Sequence, residues 1–146
     1  MSSIAEDLIA EVLARLVAVP VIAETDRIRR DHLTPVTRDL APSVNVVTGD
    51  DIPDAGKNAC TVARTLYFAV EVDVRADATY AAADPIMVAI MAALDPDAES
   101  YPHSALLKPG RIRRPRPTIA DLDALRVVME FEFSYRSQLW TLDQGN

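Results

Sequence analysis

Residues 127 to 138, VVMEFEFSYRSQ, alternate so strictly that two faces can be read from parity. Val127, Met129, Phe131, Phe133 and Tyr135 fall on one side, and Val128, Glu130, Glu132, Ser134 and Arg136 on the other. A repeat of two is that of a β-strand, so this segment is a strand with one apolar and one mostly charged face. It constrains the fold in two ways: the apolar side needs a hydrophobic layer over it, and the other side must accommodate two glutamates in line.

A second stretch has the same character. Leu66, Phe68, Val70, Val72 and Val74 share a face opposite Tyr67, Ala69, Glu71, Asp73 and Arg75. Run from Val62 to Arg75, it extends roughly 45 Å at the usual rise per residue. Strands are commonly 5–6 residues, so this one is long enough to reach beyond its own domain.

The covering layer is supplied by two helices. Over residues 3 to 18, Ile4, Leu8, Ile9, Val12, Leu13, Leu16 and Val17 recur at steps of three and four, with Glu6, Asp7, Glu11 and Arg15 on the other side. Ser3 and Glu6 read as a capping box, each side chain satisfying the other's backbone N–H, and Pro20 stops the helix. The second helix spans 84 to 94, with Asp84 as N-cap, Pro85 in the first turn and Ile86, Met87, Ile90, Met91 and Leu94 as its buried stripe. Asp95-Pro96 closes it.

Between these elements, residues 21 to 42 have room for one or two short strands. SVNVV (43–47) is a short apolar strand, and TGDDIPDAGKN after it is a loop by composition. LLKPGRIRRPRPTI carries three prolines, which restrict it to an edge strand or an extended arm. DLD (121–123) is a turn into the closing strand. The expected architecture is α+β: a mainly antiparallel or mixed sheet with two principal helices on one face, as a single domain over 1–138 with a C-terminal extension, 139–146.

Bulk properties narrow the function. At 146 residues, 49% hydrophobic and 25% charged, the chain has globular proportions. A net charge of −7 argues against general affinity for nucleic acid. No apolar run approaches the roughly 18–20 residues of a membrane span, and the N-terminus lacks the features of a signal peptide. A soluble, intracellularly made protein is expected. One cysteine, Cys60, allows no internal disulfide, and two distant histidines, His32 and His103, offer no zinc spacing. Both histidines read as solvated, and Cys60 as a small half-buried hydrophobe.

No phosphate-binding loop, dinucleotide fingerprint, nucleophile elbow or HExxH is present. Glu130 and Glu132 project to one side about 7 Å apart by strand geometry, a separation two catalytic carboxylates can use. Charged residues on an exposed strand face are more often merely solvated. Asp50, Asp51 and Asp54 offer oxygens to a hard cation, but acidic loops are common and EF-hand spacing is missing. No enzyme activity, catalytic residue, metal or cofactor is expected.

The remaining feature is a charge asymmetry. Lys108, Arg111, Arg113, Arg114 and Arg116 concentrate five of the fifteen cations in one segment. A solvated arm is the ordinary reading of such a run. However, if strands 62–75 and 124–138 pair, Glu71, Asp73, Glu130 and Glu132 crowd one face, and like charges close across strands destabilise a sheet. Arg75, Arg126 and Arg136 relieve part of this locally. The basic arm of another copy can relieve the rest, and such a heterologous contact yields a ring where its rotation closes. Trp140, with Leu139 and Leu142, packs either on the parent sheet or into a neighbour.

In element order the chain resembles the lambda-type tail terminators of long-tailed phages, the family of minor tail protein U. The likeness runs from the helix AEDLIAEVLARLVAV through DRIRRDHLTP, APSVNVVTGDD, RTLYFAVEVDVRAD, ADPIMVAIMAALD, RIRRPR and DLDAL to RVVMEFEFSYR. The resemblance implies a structural role: a hexameric ring that caps the growing tail tube, halts its polymerisation and presents a surface to the head connector. Its implied partners are further copies of the chain, a tail tube protein and a head–tail connector protein, with no direct nucleic-acid recognition and no membrane. Its implied location is the virion tail, after assembly in the host bacterial cytoplasm. Pro42, Val44, Gly49 and Tyr135 match family positions that look architectural. The alternatives are another head–tail connector or tail-completion protein, or a small enzyme using Glu130 and Glu132.

Overall fold

The computed structural model describes residues 2–22, 27–31, 42–54, 60–75, 79–115 and 124–138. Expectations that fall on His32, Arg116, the 121–123 turn, Leu139, Trp140 and Leu142 lie outside these. Two helices, α1 (Ile4–Val17) and α2 (Asp84–Leu94), accompany five strands: β1 (Ile28–Arg30), β2 (Ser43–Pro53), β3 (Thr61–Arg75), β4 (Leu106–Arg113) and β5 (Ala124–Gln138). The strands form one sheet in the order β1-β2-β3-β5-β4, with β1 parallel to β2 and every other pair antiparallel. The α+β architecture, mostly antiparallel with two packed helices, is the one expected.

The two long strands are the spine. β3 and β5 pair along their whole lengths, from Thr61 against Gln138 to Arg75 against Ala124. Their parity holds: Leu66, Phe68, Val70, Val72 and Val74 join Val127, Met129, Phe131, Phe133 and Tyr135 in one core. Leu8, Ile9, Val12 and Leu16 of α1 and Ile86, Ile90 and Leu94 of α2 close over them. Phe68 stacks between Phe131 and Phe133, each 5.3 Å away by ring centroid, and Tyr101 meets Phe133 edge-on at 4.9 Å.

Local details depart from the expectations in instructive ways. Ser3 Oγ accepts the backbone N–H of Glu6, but the Glu6 carboxylate does not return the favour. It takes a bidentate grip from Arg30 at 2.7 and 2.8 Å, because a guanidinium fork outcompetes one backbone donor. Asp84 is the first residue of α2 rather than its cap, since a 3₁₀ turn over Tyr80–Ala83 runs directly into the helix.

TGDDIP is strand, not loop: β2 continues through it with a register shift between Thr48 and Asp51. Gly49 permits this, because a Cβ there would lie 2.8 Å from the carbonyl oxygen of Tyr67. The proline-rich stretch forms the edge strand β4, with its own register shift between Pro109 and Ile112. Cys60 is exposed. His103 is not solvated: its Nε2 lies 2.8 Å from Asp7 Oδ2, from a backbone with φ of 58°.

Candidate interaction surface

The face of the sheet turned away from the helices carries the charged residues, and the registers set them out in rows. Ser43, Asp73 and Arg126 lie side by side, followed by Asn45, Glu71 and Val128. Val47, Ala69 and Glu130 come next, then Tyr67, Glu132 and Lys108. The row after that is Ile52, Thr65, Ser134 and Leu106. Glu71, Asp73, Glu130 and Glu132 therefore do share one face, as β3–β5 pairing requires.

Their charges are largely answered within the chain. Arg126 Nε donates to Asp73 Oδ1 at 2.9 Å, while its Nη1 lies 2.8 Å from Glu71 Oε2. The Asp73 side chain is only 2% exposed and that of Glu71 15%. Burial pushes the Glu71 carboxyl above its ordinary pKa; Arg126 opposes that shift, and neighbouring Asp73 adds to it. Arg111 and Arg113 of β4 each donate an Nε–H to Glu130, both at 2.7 Å. Hydrogen bonds from Arg111 first, and from Arg113, hold Glu130 below the usual carboxylate range.

The basic segment is thus stitched to β5 of its own chain for part of its length, which supplies in cis relief expected from a second copy. Of the three arginines expected to help locally, Arg126 does so, whereas Arg136 Nη1 reaches Thr61 Oγ1 at 3.5 Å. Arg111 remains 71% exposed, and Lys108 and Arg114 are exposed beside it. The β4 edge therefore presents a cationic strip with apolar Leu106 and Ile112 exposed among the cations.

The acidic stretch at the end of β2 has another use for one of its members. Asp51 accepts from Arg64 Nε at 3.0 Å and from the Tyr135 hydroxyl at 2.6 Å. Burial, then the bond to Asp51, pushes the Tyr135 hydroxyl well above its ordinary pKa. This network pins β2, β3 and β5 together and commits the Asp51 carboxylate. Asp50 and Asp54 are exposed, and among the described residues no group of three His, Cys, Asp or Glu is placed to hold a metal ion. Among those residues, too, no helix is long and apolar enough to cross a membrane.

Sequence reasoning missed Arg15 and Tyr101. Arg15 is buried among Glu11 (2.9 Å), the carbonyls of Glu99 and Ser100 (3.0 and 2.9 Å) and the Tyr101 ring, 3.7 Å below its guanidinium carbon. Tyr101 donates its hydroxyl to the carbonyl of Leu94 at 2.9 Å, and burial raises its pKa to about 12. The signal for Arg15 was its place on α1 beside the apolar stripe; nothing local marks Tyr101.

No protein-family model matches the chain, and no curated protein does. Among solved structures it is similar to a chain from the virion of a native gene transfer agent particle, at 19% identity and a TM-score of 0.57. The match covers 92% of this chain and 96% of that one, and at such low identity it is a likeness of fold.

Proposed function

We propose that the chain is a structural protein of a phage-like virion, and that it forms a ring, hexameric on assembly, capping the tail tube. In this reading the ring halts polymerisation of the tube protein and offers its other surface to the head connector. The role needs faces rather than an active site. The observation that carries it is the nearly end-to-end fold likeness to a virion chain of a gene transfer agent. The element order shared with lambda-type tail terminators supports the finer assignment.

The site adds to this. On the charged sheet face, one row carries exposed Ile52 and Leu106 at its two ends, with half-buried Thr65 and Ser134 between them, next to a cationic edge strand. Such a mixture of apolar and charged surface suits protein contacts. Lys108, Arg111, Arg113, Arg114 and Arg116 form one side of the subunit contact, and Glu130, Glu132 and Trp140 contribute to the other. Asp73 and Glu71, the one buried and the other half-buried against the chain's own Arg126, do not reach a neighbour. An enzyme using Glu130 and Glu132 fits less well, because Glu130 is held beneath two guanidiniums on an open sheet face.

The deciding experiment mixes purified chain with a tail tube protein that polymerises on its own. The expected result is rings on tube ends in electron micrographs and an arrest of tube extension. Uncapped tubes that keep growing at saturating concentrations of the chain would refute the assignment.

A further inference from the structure

On the helix side of the sheet, α2 does not close over the edge strand. An apolar groove of about 310 Å³ is left there, floored by Met91, Leu94, Leu107, Pro109 and Phe131 and walled by the Asp95–Asp97 turn. That is space for roughly ten waters, ample for a bicyclic ring. Met91 is 41% exposed, and apolar surface continues at Val88 on the helix and Ile112 on the strand.

The chain holds one tryptophan, Trp140, flanked by Leu139 and Leu142 in the sequence just past β5. It cannot fill its own groove. Leu107 pairs with Phe133, and Phe131 lies further back, so the groove sits five to seven residues behind Gln138. That is about 16 to 23 Å along the strand. Two residues beyond Gln138 carry the chain at most about 7 Å, and an indole side chain does not make up the difference. A second copy has no such limit.

The groove also suits an indole chemically. A buried indole N–H requires an acceptor, and Asp95 and Asp97 are among the residues that line the groove, the Asp95 carboxylate also accepting the Asp97 backbone N–H at 2.9 Å. We infer that the α2–β4 groove of one subunit receives Trp140 of another. The inference rests on self-association as proposed above, and the contact is heterologous, the kind that closes rings.

The test replaces Trp140 with the photoreactive benzoylphenylalanine in the full chain. Isotopically light and heavy chains are mixed, irradiated at concentrations up to those that give assembly, and mapped by mass spectrometry. The expected product is a light–heavy adduct on Met91, Leu107 or Pro109, reduced at least tenfold by Met91→Glu. Adducts confined to one chain, adducts elsewhere, or no adduct at all would overturn the inference. Micrographs of the same samples score rings separately. Rings without the groove adduct defeat this contact alone, whereas the adduct without rings upholds the contact and counts against the ring.

Discussion

Asp73, whose side chain is 2% exposed, faces Arg126 directly across the β3–β5 ladder and receives its Nε–H at 2.9 Å. The same guanidinium reaches Glu71. Removing this cation strands two partly or wholly desolvated carboxylates. Arg126→Met is therefore expected to cost about 2–3 kcal/mol, below the full penalty for breaking a buried pair because Arg126 itself is partly solvated. Adding Asp73→Asn should recover part of the loss. Urea denaturation of both variants checks this, and equal destabilisation by the two would contradict it.

Arg15 makes a planar fork to two carbonyls, an ion pair to Glu11 and a stack on Tyr101. A lysine keeps the charge but has neither the fork nor the flat face. Arg15→Lys should lower stability by roughly 2 kcal/mol, and the near-ultraviolet circular dichroism of Tyr101 should weaken. A variant indistinguishable from the parent in both respects would show that charge alone suffices.

Gly49 sits where β2 slips register against β3. A methyl group there meets the Tyr67 carbonyl at 2.8 Å, backbone that has little room to retreat. Gly49→Ala should destabilise by about 1–3 kcal/mol, with hydrogen-exchange protection lost first around Thr48 to Asp51. Unchanged exchange there would mean that the strands can separate without cost.

What the sequence disclosed and withheld follows a physical division. Period-two and helical spacing located β3, β5, α1 and α2, and parity put Val127 through Tyr135 in the core, because burial selects residue type at every second or third position. The sequence did not disclose that β2 continues through TGDDIP, since its polar residues are held by backbone pairing to β3 across a register shift, which leaves no apolar alternation to read. The partners of the charges were also out of reach. Arg113 near Glu130, Arg30 on Glu6 and His103 on Asp7 are all far apart in the chain, and no local pattern reports which long side chain bridges which strand.

Glu71 gives a pH test. Its carboxyl is raised in the folded protein, chiefly by burial, so the native state binds this proton more tightly than the unfolded chain does. Stability from this group is then greatest below the unfolded carboxylate range and falls as pH rises through the folded value. Glu71→Gln, a stand-in for the protonated form, should compare more favourably with the parent at pH 7 than at pH 4. Chemical denaturation at the two pH values checks the sign, and the reverse order would mean that the Arg126 pair outweighs desolvation.

The basic edge offers the last test. Arg113 belongs to the chain's own Glu130, but Arg113 is exposed and Glu130 only half-buried, so their bond contributes little to the subunit's stability. Arg113→Glu with Arg114→Glu should therefore leave the melting of the isolated subunit almost unmoved. If the cationic strip grips a neighbour, the same double change should weaken the ring strongly. Close charge pairs across an interface couple by about 1.5 kcal/mol or more, roughly tenfold per contact. Added salt should mimic the effect in the parent protein, because screening acts on exposed charges. Sedimentation of parent and variant across a salt series separates the outcomes. A variant that assembles like the parent at every ionic strength would assign the strip to solvent and leave apolar contacts to hold the ring.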